Sequence, residues 1–137
     1  MTTDPEMLGQ AIKRAQYRNH RTMDVALRQV GVSLVQWDAL RAIERMPGAS
    51  GHDLAVVTFQ SDQAFGTLAN RLDDRGLIAR SAGHGRRIEH TLTDEGRQVL
   101  TDGHAVAGGV LDELLSPLCE DDRATLLRLL QTLTRSD

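Results

Sequence analysis

Apolar residues along the chain recur mostly at steps of three and four, which is the spacing of helices that bury one face. From residue 4 to residue 30 this spacing predicts one long helix, with Pro5 in its first turn and Gly31 at its end. A helix of about 25 residues spans roughly 38 Å, more than a chain of this size covers by itself. We therefore expect part of it to pack against a second subunit.

Asn19 falls within the apolar row of this helix. A polar residue on such a seam either fixes the register of two packed helices or lines a ligand cavity. We favour the first interpretation, and the sequence leaves both open.

Three shorter helices are predicted next, and each opens at a serine suited to cap a helix N-terminus. The apolar patterns cover residues 33–46, 51–58 and 61–75, and the caps are Ser33, Ser50 and Ser61. The first start also has the Ser-x-x-Gln pattern of a capping box. Gly76 ends the third helix at the position that favours a left-handed residue.

The helix over residues 61–75 has two different faces. Its apolar row, which predicts burial, consists of Phe65, Leu68, Ala69 and Leu72. Its other face is small or polar and consists of Gln63, Ala64, Thr67, Asn70 and Arg71. A face of this kind fits a DNA groove.

Alternating patterns at residues 77–80 and 88–92 predict two short strands. The glycine-rich turn between them carries Arg86 and Arg87. An arginine at such a tip can enter the narrow minor groove, whereas a solvated hairpin is the structural alternative. A helix pair followed by a hairpin wing is one way of reading DNA, so DNA recognition is the leading hypothesis.

Two further helices are predicted after the wing. Thr93 caps the first of them, which runs to about Leu115 and contains Gly103 and the glycine pair 108–109. Because glycine weakens a helix interior, we expect a kink or a close helix–helix approach at these positions. The last helix begins at Cys119 and carries a leucine face too wide for one chain to bury. We assign that face, together with the first helix, to a dimer interface.

The predicted fold is mainly α with a small β-hairpin wing, a winged helix-turn-helix plus a helical dimerisation region. In this interpretation residues 1–137 form a single domain. The DNA-binding lobe covers residues 32–97, and the dimerisation region covers residues 4–31 and 98–137.

Charge is distributed unevenly along the chain. The net charge of –3 argues against indiscriminate binding to nucleic acid. Residues 1–49 carry a net charge of +2, residues 50–92 carry 0 and residues 93–137 carry –5, so a DNA surface belongs to the first two-thirds. Arginine greatly outnumbers lysine, which suits phosphate and guanine recognition but also fits a genome that favours arginine codons.

Two residues beside the DNA-facing helix have ambiguous roles. Asp62 lies in its first turn, where a carboxylate favours the helix dipole but repels phosphate unless it orients a neighbour. His52 lies in the exposed first turn of the preceding helix, and we interpret it as a solvated surface histidine.

The sequence gives little support to other classes of protein or of site. Cys119 is the only cysteine, so an intrachain disulfide and a thiolate metal cluster are excluded. No basic leader and no apolar run of about 18 residues occurs, which predicts a cytoplasmic protein without a membrane span. The histidines show no metal-ligand spacing, and no phosphate-binding loop, nucleophile elbow or HExxH motif is present. We expect neither an enzyme nor a bound cofactor.

The order of four helices, a wing and two helices resembles the MarR (multiple antibiotic resistance regulator) family of bacterial transcription factors. The motifs that carry the resemblance are Val32–Trp37, Asp53–Ala55, Leu68–Ile78 and, across the wing, Arg86 with Leu92–Arg97. They span nearly the whole chain. The resemblance implies a homodimer that binds a pseudo-palindrome in double-stranded DNA and usually represses nearby promoters. It also implies release by a small, often phenolic, ligand or by an oxidant, with a ligand cavity between the first, second and fifth helices.

The same resemblance implies roles for individual residues. The helix over residues 61–75 would enter the major groove. The implied contacts are Gln63 and Thr67 to bases, Ser61 and Asn70 to the backbone, Arg80 to a phosphate and Arg86 to the minor groove.

The wing departs from the family pattern, which commonly has Asp-x-Arg where this chain has His84-Gly85-Arg86. A histidine cannot brace the arginine as a carboxylate does, so we expect Arg87 to share its role. If His84 lies near DNA, its protonation would strengthen binding at mildly acidic pH.

Three alternatives to a ligand-released repressor are kept. His20 and His104 with a carboxylate would form a metal sensor. Cys119 would form an oxidant switch, although we favour the interpretation that it replaces a capping serine. A winged-helix module that binds only protein would show no salt-dependent binding to duplex DNA.

Overall fold

The computed structural model describes residues 2–85 and 87–135. Its helices are α1 (Pro5–Leu27), α2 (Leu34–Arg45), α3 (Gly51–Val57), α4 (Asp62–Asp74), α5 (Asp94–Leu114) and α6 (Glu120–Thr134). Between α4 and α5 lie two antiparallel strands, β1 (Ile78–Ala82) and β2 (Ile88–Leu92). The predicted mainly α fold with a small β-hairpin wing is confirmed.

Most helix ends follow the local signals in the sequence. The Ser33 hydroxyl accepts a hydrogen bond from Gln36 N, and Gln36 Oε1 accepts one from Ser33 N, so the capping box is complete. A side-chain cap of the same kind is made by Ser50, Ser61 and Thr93. Gly76 follows α4 with a φ of 74°, which is the left-handed conformation predicted for it.

Two helix ends differ from the prediction. The α1 helix stops at Leu27, and residues 28–30 form a 3₁₀ turn before Gly31, whose φ is 83°. This tighter turn lets Val32 N donate to the Leu27 carbonyl at 3.3 Å, which closes the end of α1. Cys119 occupies the N-cap position of α6, but its side chain makes no capping hydrogen bond. Cys119 therefore takes the position expected of a capping serine, but the expectation that it also replaces the capping hydrogen bond is wrong.

The core forms where the helices from α1 to α5 meet the hairpin. Its fully buried large side chains are Leu27, Leu40, Ile43, Leu54, Phe65, Leu72, Ile78 and Leu100. Each contributes about 1.5–3 kcal/mol relative to an exposed position. The predicted apolar row of α4 is buried along its whole length. This row fixes the rotation of α4, and the opposite face consequently points to solvent.

One predicted close helix approach is confirmed. A side chain at Gly103 of α5 would overlap Trp37 of α2, whose buried indole Nε1 donates to the Leu100 carbonyl at 3.3 Å. A Cβ at Gly108 or Gly109 would meet nothing within 4 Å among the described residues. Close packing within this chain therefore explains the first glycine only.

The hairpin is anchored to the body by a contact that the sequence did not predict. Residues 49 and 90 form an isolated antiparallel bridge, so the loop before α3 lies alongside β2. Gly48 N donates to the His90 carbonyl at 2.9 Å, and His90 N donates to the Ala49 carbonyl at 3.2 Å. This bridge fixes the base of the wing relative to α3.

Large apolar side chains remain exposed on α1 and α6. They are Met7, Leu8, Ile12, Tyr17, Val25, Leu126, Leu127, Leu129, Leu130 and Leu133. None of the described residues of α6 is buried, and the helix is held to α5 by Arg123, whose Nη1 donates to Asp112 Oδ1 at 2.8 Å. Asn19 is also exposed, so the contact expected for it stays a prediction. None of the described helices is long and apolar enough to cross a bilayer.

Candidate nucleic-acid interface

The exposed face of α4 is small or polar along its length. All five residues predicted for it are exposed: Gln63, Ala64, Thr67, Asn70 and Arg71. At the start of the helix, the Ser61 oxygen accepts from Ala64 N at 3.0 Å, which leaves the hydroxyl hydrogen to donate outward. Ser61 and Gln63 are thus placed for a backbone and a base contact. The Thr67 hydroxyl donates to the Gln63 carbonyl at 3.2 Å, so in this conformation it offers a base only an acceptor.

Arg80 of β1 connects the wing to α4. Its Nη2 and Nε donate to Asp73 Oδ2 at 2.8 and 3.2 Å, and its Nη1 donates to Asn70 Oδ1 at 2.8 Å. Asn70 accepts this bond through its oxygen and keeps its amide hydrogens as donors. The clamp keeps the predicted phosphate contact at Arg80 beside the predicted backbone contact at Asn70, and both roles stay predictions.

Of the two arginines predicted for the tip of the wing, the structure describes only Arg87. Arg86, the predicted minor-groove contact, lies outside the described residues. Arg87 turns back toward the body, where its Nη2 donates to the Gly48 carbonyl at 3.2 Å and lies 3.8 Å from Asp53 Oδ2. In this position Arg87 braces the wing, so a minor-groove contact would require its side chain to swing away. His84 is exposed at the same tip.

His52 and Asp62 form a pair that the sequence did not reveal. His52 Nδ1 lies 3.0 and 3.3 Å from the two carboxylate oxygens of Asp62, and both side chains are exposed. The hydrogen bond to Asp62 and its negative charge raise the pKa of His52, with a smaller contribution from Asp53. Asp62 therefore does orient a neighbour, the condition under which its position near DNA is acceptable.

A groove of about 360 Å³ runs between the start of α3, one side of α4 and the wing. His52 and Asp62 lie in it, and Arg80 and Arg87 line its wing side. The groove joins the predicted major-groove helix to the predicted minor-groove element. It was not predicted, because its walls come from three segments of the chain.

Phe59 is an unexpected feature of the turn between α3 and α4. It has a φ of 60°, the only positive value among the described residues other than glycine, and its side chain is 96 % exposed. The left-handed conformation crowds a β-carbon, and a bulky side chain rarely adopts it. The turn that positions the start of α4 is therefore strained at Phe59.

The candidate sensing residues His20, His104 and Cys119 lie outside the groove between α4 and the wing. His104 packs edge-on against Trp37 with ring centroids 5.1 Å apart. Asp38 is half-buried, and this burial raises the pKa of its carboxyl, opposed by Arg41 and His20. Across residues 2–85 and 87–135, no group of three His, Cys, Asp or Glu side chains could hold a metal ion. Cys119 is exposed.

Comparison with known proteins identifies the group to which this arrangement belongs. The MarR family profile matches residues 30–87, which run from before α2 through β1 and end just before β2. The HTH-type transcriptional repressor Rv2887 of Mycobacterium tuberculosis is 30 % identical over 113 residues, which are 81 % of each chain. The chain belongs to the MarR family. It shares with that family the winged helix-turn-helix and its place among transcriptional regulators.

Solved structures of similar proteins extend this similarity to the whole fold. The structure of Rv2887 with p-aminosalicylic acid has a TM-score of 0.78 and 28 % identity, and the match covers 93 % of this chain and 98 % of that one. The structure of Rv2887 with DNA has a TM-score of 0.79 and 26 % identity, covering 96 % and 98 %. A probable transcriptional regulator from Pseudomonas aeruginosa has a TM-score of 0.82 and 30 % identity, covering 91 % and 95 %.

Proposed function

We propose that this protein is a homodimeric transcriptional repressor that binds a pseudo-palindromic operator through α4 and is released by a small aromatic ligand. The single observation that supports it best is the exposed polar face of α4, which the buried apolar row opposite it aims outward. The similar protein Rv2887 is named a repressor and has been crystallised with DNA and with p-aminosalicylic acid. In this proposal the protein acts on DNA in the cytoplasm and is not an enzyme.

The proposal divides the chain by role. Residues 32–97 form the DNA-binding lobe within a single domain of residues 1–137. Residues 4–31 and 98–137 form the dimerisation region. This division is supported by the exposed apolar side chains of α1 and α6, which lie outside the lobe.

Base recognition is assigned to Gln63 and Thr67, and backbone recognition to Ser61, Asn70 and Arg80. Ala64 and Arg71 complete the face that lies against the groove. Arg86 and Arg87 belong to the wing contact. A glutamine that meets adenine in the major groove can both accept from N6 and donate to N7, and this pairing is specific for that base.

The specificity of Gln63 provides the test. Gln63→Ala should weaken binding to the operator by about 1–3 kcal/mol per half-site and leave binding to scrambled duplex unchanged. Fluorescence anisotropy with both duplexes measures this, and Gln98→Ala, which removes an exposed glutamine from α5, is the matched control. An equal loss on both duplexes would contradict base reading by Gln63.

A module that binds only protein is the rival function, and the neutral charge of residues 50–92 leaves room for it. Salt separates the two functions. A repressor making 6–10 phosphate contacts should lose roughly a thousandfold or more in affinity between about 50 and 200 mM salt. The rival predicts no duplex binding that depends on salt in this way.

A further inference from the structure

We propose that His52, held in place by Asp62, binds a phosphate of the operator, and that protonation of His52 increases the affinity of the repressor for DNA. This inference rests on the proposed function. It assigns a role to a histidine and a carboxylate that no motif of the sequence accounts for. It also makes operator binding sensitive to pH near neutrality.

The hydrogen bond between the two side chains determines what His52 can offer to DNA. Nδ1 faces the Asp62 carboxylate at 3.0 Å, so its hydrogen is donated there. In the neutral ring Nε2 then carries no hydrogen and can only accept, which a phosphate oxygen cannot satisfy. In the protonated ring Nε2 becomes a donor with a positive charge behind it, and it can bind phosphate. Protonation therefore turns a repulsive contact into an attractive one.

The position of the pair makes the phosphate backbone its natural ligand. His52 and Asp62 line the groove between α4 and the wing. Under the proposed function these two elements enter adjacent DNA grooves, and one phosphate backbone separates a major groove from its neighbouring minor groove. That backbone must cross the surface between α4 and the wing. Arg80 and Arg87 line the wing side of the same groove, so cations would face the backbone from both sides.

The charges around His52 favour its protonated form. The carboxylates facing it are Asp62 from α4 and Asp53 from α3, and both raise its pKa. The cations across the groove are Arg80 and Arg87; Arg80 is paired with Asp73, and Arg87 lies 3.8 Å from Asp53. The remaining titratable group of the groove, His90, is buried and directs Nδ1 to the Ala49 carbonyl at 3.0 Å. The pair of His52 and Asp62 therefore carries one negative charge above the pKa of His52 and none below it.

The test is a pH series of operator affinity, measured by fluorescence anisotropy at fixed ionic strength from pH 8 to pH 6. We expect the wild-type protein to bind about fivefold more tightly at pH 6, the size of one exposed charge contact in each subunit. His52→Gln keeps a donor for Asp62 but cannot titrate, and it should remove most of this increase. His84→Gln, which removes the exposed histidine of the wing, should retain it.

Asp62→Asn separates a role in DNA binding from a merely structural one. The asparagine oxygen can still accept from Nδ1, so His52 keeps its orientation, but the negative charge is gone. We expect tighter binding than wild type at pH 8 and an increase that begins at lower pH, because the pKa of His52 is no longer raised. A variant that lost only a structural contact would bind more weakly at every pH.

The outcomes distinguish this inference from the function on which it rests. A wild-type protein that binds no duplex specifically at any pH overturns the proposed function and the inference together. Specific binding with the same pH response in wild type and His52→Gln overturns the inference alone. Loss of the response in His84→Gln but not in His52→Gln would move the titrating contact to the wing and also overturn it.

Discussion

Phe59 adopts a backbone conformation that costs an L-residue about 1–2 kcal/mol, and its exposed ring recovers little of that cost by burial. Only residues that tolerate a positive φ fit this position without strain, which are glycine and, to a lesser degree, asparagine. The strain lies in the turn that sets the start of α4. Phe59 is therefore a residue at which the fold can be made more stable.

Phe59→Gly should increase the free energy of unfolding by up to about 1 kcal/mol, because relief of the strain exceeds the added flexibility of the unfolded chain. Phe59→Ala keeps a β-carbon and should give no such gain. Urea unfolding at one fixed protein concentration, followed by the fluorescence of Trp37, the only tryptophan, measures both variants. A lower unfolding midpoint for Phe59→Gly would show that the phenyl ring makes a contact worth more than the strain.

Single residues also show where sequence reasoning succeeds. The capping box of Ser33 and Gln36 and the left-handed Gly76 involve neighbours within a few positions, so their spacing alone predicts them. The pairing of His52 with Asp62 joins the starts of two helices whose relative placement follows from packing. His52 was consequently interpreted as a solvated side chain, and only the folded chain reveals its partner.

At the scale of secondary-structure elements, the contact between α5 and α2 depends on the absence of one side chain. Trp37 lies against Gly103, and its indole is fixed by a hydrogen bond to α5. Because the ring is buried among core residues, it cannot move aside as a flexible surface side chain would. The two helices can keep their spacing only with glycine at this position.

Gly103→Ala should lower the free energy of unfolding by about 1–3 kcal/mol, as expected for overpacking a buried contact. Gly108→Ala is the matched control in the same helix, where a Cβ meets nothing within 4 Å among the described residues. It should be neutral or stabilising by up to about 1 kcal/mol, because alanine favours the helix. Equal effects of the two changes in thermal or urea unfolding would contradict the close approach.

The elements themselves were predicted to within a few residues, because periodicity and caps are local signals. Apart from the close approach at Gly103, contacts between elements were not predicted. The bridge between residues 49 and 90 and the clamp from Arg80 to Asp73 each join segments that periodicity treats separately. These contacts decide the angle of the wing relative to α4. The residues of the candidate interface can therefore be predicted from the sequence, but their relative placement cannot.

At the scale of the whole molecule, the exposed leucines of α6 and the apolar start of α1 form the surface that a second subunit would cover. Leu127, Leu130 and Leu133 lie along α6, and Leu8 and Ile12 lie along α1. Large exposed apolar side chains that recur along a helix mark a surface for another protein chain. A dimer built on these helices would present two copies of α4 to the two halves of a palindrome.

Leu130→Glu should convert the protein to a monomer and weaken operator binding strongly, because each half-site would then bind alone. Val56→Glu is the matched control, since Val56 is an exposed apolar residue on α3, outside α1 and α6. We expect it to leave the dimer intact. Sedimentation velocity measures both variants, and a dimeric Leu130→Glu would place the subunit interface elsewhere.

The central claim is that α4 and the wing together read a specific duplex, and selection from genomic DNA tests it most directly. The purified protein is mixed with sheared DNA of the organism that encodes it, and the retained fragments are sequenced. We expect enrichment of one inverted repeat whose half-sites lie about one helical turn, roughly 10 base pairs, or a multiple of it apart, with enrichment abolished in Gln63→Ala. Retention of fragments in proportion to their abundance, with no shared repeat, would contradict sequence-specific recognition.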